Sequence, residues 1–79
     1  MARVKTEKVV FTFHTTTQAM YMEQCCKNKG AGGRLIPVPR QISAGCGMAW
    51  SAPLSERPAL EQLIREREIE VEGVYELLL

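Results

Sequence analysis

Several things are scarce in this chain, and each shortage excludes a class of protein. There is one histidine, and the three cysteines show no Cys-x-x-Cys spacing. A structural zinc site would need a second ligand cluster that is not there, so no metal is expected. Three thiols cannot all pair within one chain. No apolar run approaches the roughly 18 residues that a membrane-spanning helix requires. Lys and Arg number 10 against 9 acidic residues, a net charge of +1. No basic stripe emerges from them, so a nucleic-acid partner is not expected. The Gly30-Ala31-Gly32-Gly33 turn lacks the spacing and the lysine of a phosphate-binding loop. The opening residues, Met1 to Lys8, have no apolar core behind their charges, unlike a secretory signal. The expectation is a cytoplasmic protein whose cysteines are free thiols. Internal repeats, low-complexity tracts and long linkers are missing too.

What is present suits one small domain. The 79 residues are 46% hydrophobic and 24% charged, a globular composition with room for a modest core. Residues 1–79 are therefore expected to form a single domain.

Lys8 to Phe13 alternates, with Val9, Phe11 and Phe13 on one face and Val10 and Thr12 on the other. Beta-branched and aromatic residues at period two predict a strand, and the apolar Val10 suits a central one. Thr15 stands three residues before Gln18, a capping-box pattern that predicts a helix over about residues 16 to 29. Ala19, Met22 and Cys26 share one face of it, with Met20 flanking. Lys27 and Lys29 suit the last turn, and Gly30 is a natural terminator. Arg34 to Val38 is a second strand, placed at an edge by its prolines. Met48 to Ser51 is a short third strand.

A second helix is predicted from after Ser55 to about Glu68, with Pro58 in its first turn. Leu60, Leu63 and Ile64 are its apolar stripe, with Ala59 beside it, and Glu61 and Arg65 are an i, i+4 pair. Ile69 to Leu79 carries the last strand, with Gly73 as a bulge and Val74, Tyr75, Leu77 and Leu78 as anchors. The order strand, helix, strand, strand, helix, strand predicts an α+β fold. It is a ferredoxin-like βαββαβ sandwich, a four-stranded antiparallel sheet with two helices on one face.

The segment from Pro37 to Trp50 departs from these packing patterns. It contains Pro37 and Pro39, the only tryptophan, and Cys46 between Gly45 and Gly47. The prolines lack the N–H that a central strand needs. The glycines permit unusual backbone angles and leave Cys46 uncrowded. In the predicted topology the end of strand one lies beside the start of strand three. That brings Cys46 toward His14 and toward the helix start at Thr15. The partial positive charge of a helix N-terminus favours a thiolate, and His14 can pair with sulfur or accept its proton. Arg40, in the same loop, adds a fixed positive charge.

With these residues in view, the chain resembles a family of small bacterial domains described as selenium/sulfur carrier-like. The resemblance rests on Phe11-Thr12-Phe13, Thr15-Thr16-Thr17, the run from Gly33 to Arg40, Ile42-Ser43, the run from Gly45 to Trp50, and Val71 to Tyr75. It covers nearly the whole chain, and Pro37, Pro39, Arg40 and Gly45-Cys46-Gly47 are its most specific part. Members resemble stand-alone domains or partners of TusA-like sulfur-carrier modules. The resemblance implies a carrier role for Cys46, and with it a sulfur or selenium donor protein of the cysteine-desulfurase type and an acceptor protein. Such a carrier requires no cofactor, and it is a carrier more than a stand-alone enzyme.

Each signal also has a plainer reading. The plainer reading of Cys46 is a small apolar residue buried in a tight turn. The Pro37–Gly47 loop would then be a binding surface of a non-catalytic interaction module. A thiol redox sensor is a third reading. Cys25 and Cys26 are adjacent on a helix and point about 100° apart, so at most one is expected to face the core. A disulfide between them would strain the backbone. A histidine placed like His14 more often caps a strand or a helix than does chemistry, and arginines such as Arg34 and Arg40 are more often solvated than functional, with Arg40 the better candidate. Trp50 is expected as a core anchor, and Met20 and Met22 as packing.

Overall fold

The computed structural model describes residues 6–42 and 47–78. Its elements are β1 (Glu7–Thr12), α1 (Thr16–Lys29), β2 (Arg34–Pro37), β3 (Met48–Pro53), α2 (Arg57–Arg67) and β4 (Gly73–Leu78). A 3-10 turn, Leu54–Glu56, leads into α2. The strands form one antiparallel sheet in the order β2-β3-β1-β4. This is the ferredoxin-like arrangement that the order of elements predicts, and β2 lies at an edge as its prolines require.

β1 is central, and both of its faces are covered. Val9, Phe11 and Phe13 point toward the helices and pack with Ala19, Met22, Trp50, Leu60 and Leu63. Side chains of this size contribute about 1.5–3 kcal/mol each when fully buried. On the opposite face Val10 meets Ala49 and Ile42, flanked by Ile36, Val38 and Leu77. Ile42 belongs to the segment after β2, so that segment turns back beneath the sheet and covers part of the helix-free face.

Helix α1 starts where its cap predicts. Thr15 has extended backbone, and its hydroxyl accepts the Gln18 N–H at 3.3 Å. The Gln18 side chain is used elsewhere: its amide oxygen accepts the N–H of Glu70 at 3.1 Å. The helix ends at Gly30, in the left-handed region at φ 70°. Pro58 lies in the first turn of α2, as its missing N–H demands.

Four details differ from the sequence expectations. Gly73 opens β4 rather than bulging it, since the register runs unbroken from Thr12↔Gly73 to Glu7↔Leu78. Val74, Tyr75 and Leu78 are exposed, because β4 is an outer strand. Glu61 pairs with Arg57 at 2.9 Å, not with Arg65. Arg57 also bonds Glu76 on β4, and this second carboxylate fixes the guanidinium near Glu61. Finally, Met20 is exposed and Ile64 is only half-buried.

Candidate functional site

Pro37 is the last residue of β2 and pairs with Met48, the first of β3. Just beyond that pair the Val38 N–H donates to the Gly47 carbonyl at 3.1 Å. Pro39 to Ile42 forms a turn closed by the Ile42 N–H on the Pro39 carbonyl at 3.0 Å. Both ends of the loop are thus held, at Ile42 by burial and at Gly47 by a backbone bond. Gly47 takes φ 75°, in the left-handed region that favours glycine, and nothing lies within 4 Å of where a Cβ would project. Gly45 and Cys46 lie outside the described residues, as do Ser43 and Ala44.

The topological basis of the expected site is present. Thr12, the last residue of β1, pairs with Ala49 of β3, so the end of one strand lies beside the start of the other. His14 and Thr15 follow Thr12 directly, and Thr15 caps α1. The β1–α1 turn and the start of β3 therefore share one end of the sheet. Arg40 is exposed in the Pro39–Ile42 turn and forms no ion pair among the described residues.

One partner was not foreseen. The His14 Nδ1 lies 3.3 Å from Oε2 of Glu72, with the imidazole largely exposed. Glu72 is itself fixed, because its N–H donates to the Thr12 carbonyl at 2.7 Å. The segment between α2 and β4 is thus tied to the end of β1 at Glu72 and to the first turn of α1 at Glu70. The carboxylate holds one nitrogen of His14, and Nε2 is left without a partner among the described residues. The sequence offers no local signal for this pair, because its members lie near opposite ends of the chain.

The other two thiols are enclosed. Cys25 and Cys26 are 5% and 1% exposed and both belong to the main core. This corrects the expectation that at most one faces inward. α1 contacts both β3 and α2, so its buried arc exceeds the roughly 100° between successive residues. Burial pushes the Cys26 thiol up to about 11, and the neighbouring Cys25 adds to the effect.

Trp50 is the core anchor expected of it, at 3% exposure. Its neighbour Gly33 was missed. A Cβ there would stand 2.5 Å from the indole Nε1, so the turn between α1 and β2 is pressed against β3.

The model of the family described as Putative Se/S carrier protein-like matches residues 8–76. The chain belongs to this family. The match spans most of β1 through most of β4 and takes in the whole Pro37–Gly47 loop. No curated protein and no solved structure matches the chain. In sequence, the Gly45-Cys46-Gly47 run lies within the matched stretch. No helix among the described residues is long and apolar enough to cross a membrane.

Proposed function

We propose that this protein carries reduced sulfur or selenium on Cys46. The observation that carries this reading is the enclosure of Cys25 and Cys26 in the core. Cys26, held near pKa 11, stays protonated at neutral pH, where the neutral thiol is a poor nucleophile, and Cys25 is enclosed where a partner protein's sulfur does not reach it. Membership of the carrier family supports the same assignment, since Cys46 is the remaining cysteine in the matched stretch.

In this reading the Cys46 thiolate attacks the terminal sulfur of a donor persulfide, R–S–SH. A bond forms between the Cys46 Sγ and that sulfur, and the donor S–S bond breaks. The donor leaves as R–S⁻ with the electron pair, and the product is Cys46–S–SH. The outer sulfur passes to an acceptor protein by the same displacement, with no net oxidation. Selenium follows the analogous route, and the transfer needs no resident cofactor. The Thr15-capped end of α1, His14 and Arg40 favour the thiolate. Gly45 and Gly47 leave room for a partner's cysteine. The donor is of the cysteine-desulfurase class, and the setting is a reducing cytoplasm.

Incubation with a cysteine desulfurase and cysteine is expected to add the mass of one sulfur atom, and a thiol reductant is expected to remove it. Cys46→Ser should abolish the gain while the circular dichroism spectrum stays that of the parent. A Cys46→Ser protein that still loads would refute the assignment.

A further inference from the structure

The helix-free face of the sheet carries an open groove of about 740 Å³ along β2 and β3. Its cations are Lys8 and Arg34, and its apolar walls come from Ile36, Pro37, Pro39 and Pro53. The register explains the grouping. Arg34 pairs with Ser51, which pairs with Val10, and Lys8 pairs with Pro53. All of these alternate onto the face opposite the helices. Neither Lys8 nor Arg34 forms an ion pair among the described residues.

The chain's charges are unevenly distributed around this groove. All nine acidic residues are glutamates, and none of them lines it. Arg57 holds Glu61 and Glu76, Lys29 lies 3.8 Å from Glu66, and His14 holds Glu72. A chain of net charge +1 thus presents one locally cationic, partly apolar concavity.

We propose that this groove docks an extended acidic segment of a partner protein, one in which carboxylates alternate with apolar residues. Two observations select that occupant. Unpaired cations complement carboxylates and steer their approach. Proline and isoleucine walls offer contacts to apolar side chains between them. A single small anion would leave most of this volume unfilled. Nucleic acid fits poorly, because carboxylates crowd the other surfaces and the face offers no row of aromatic stacking platforms. The proposal rests on the groove and its charge, and the cargo of Cys46 does not enter it.

Fluorescence anisotropy with the full chain tests this. The probe is a labelled peptide of glutamates interspersed with valine and proline, and its glutamine counterpart is the control. The glutamate peptide should bind at low ionic strength and weaken as salt is added. Lys8→Glu and Arg34→Glu should each weaken binding by about tenfold. Lys8→Gln and Arg34→Gln should fall between these and the parent, and Arg65→Glu, on α2, should change little. Equal binding of the two peptides would overturn the proposal. So would an Arg65→Glu loss as large as that of Arg34→Glu, or binding of a single-stranded oligonucleotide but not of the peptide. In nuclear magnetic resonance spectra of labelled protein, the peptide should shift the amides of Lys8, Arg34, Ile36 and Ser51. Shifts confined to α1 and α2 would place the site elsewhere.

Discussion

Gly33→Ala should be among the most damaging single changes this fold can suffer. Gly33 takes φ 121°, a left-handed value outside the region that other residues reach at modest cost. A Cβ added there would lie 2.5 Å from Nε1 of Trp50, 2.8 Å from the Ser51 carbonyl oxygen and 2.9 Å from Cβ of Ala52. None of these is the loose end of a flexible side chain. Trp50 is pinned in the core and the other two belong to β3. Backbone strain costs about 1–3 kcal/mol, and forced overpacking adds about 1–3 kcal/mol. The sum, about 2–6 kcal/mol, compares with a total stability of roughly 4–12 kcal/mol for a domain this size. Gly30→Ala is the control. Its φ of 70° is also left-handed, but nothing lies within 4 Å of its added Cβ, so only about 1–2 kcal/mol is expected. Urea denaturation of both variants measures the two losses. Equal losses would refute the steric account of Gly33.

Three further outcomes follow from the core and its thiols. Leu63, 4% exposed, should cost about 2–5 kcal/mol when cut to alanine; a parent-like melting temperature would mean that the packing face of α2 is misassigned. Cys26 has its proton held more tightly in the folded than in the unfolded chain, at about 11 against 9.0. Its contribution is therefore intact below pH 9 and is lost as the pH rises toward 11, on the order of 2–3 kcal/mol; denaturation across that window should show the loss, and Cys26→Ala should flatten it. Limited iodoacetamide treatment near neutral pH should label Cys46 ahead of Cys25 and Cys26, and equal labelling would count against a favoured thiolate.

The parts of the fold that could be read from the residues are those with a strong local period or a specific punctuating residue. β1 was legible because its two faces alternate, and α1 because Thr15, Gln18 and Gly30 bracket it. The edge placement of β2 followed from the missing N–H groups of its prolines. Gly73 was misread because a glycine inside an apolar run is compatible with a bulge or with a strand start, and only the register distinguishes them. The second buried cysteine was hidden because α1 packs into a corner between the sheet and α2, which widens its buried arc beyond that of a helix on a flat sheet. At the candidate site, the topology correctly set the end of β1 beside the start of β3. The pairing of His14 with Glu72, and the pinning of the loop by Ile42, arise from contacts between distant segments and leave no spacing to read.

The central claim is that Cys46 holds the transferred atom, and localising a loaded sulfur tests it most directly. Trypsin separates the thiols: Gln41 to Arg65 holds only Cys46, since Arg57 precedes Pro58, and Val9 to Lys27 holds Cys25 and Cys26. Protein loaded by a donor persulfide, alkylated and digested should carry the extra sulfur on the peptide from Gln41 to Arg65 alone. Extra sulfur on the peptide from Val9 to Lys27, or on neither while Cys46 is demonstrably reduced, would contradict it.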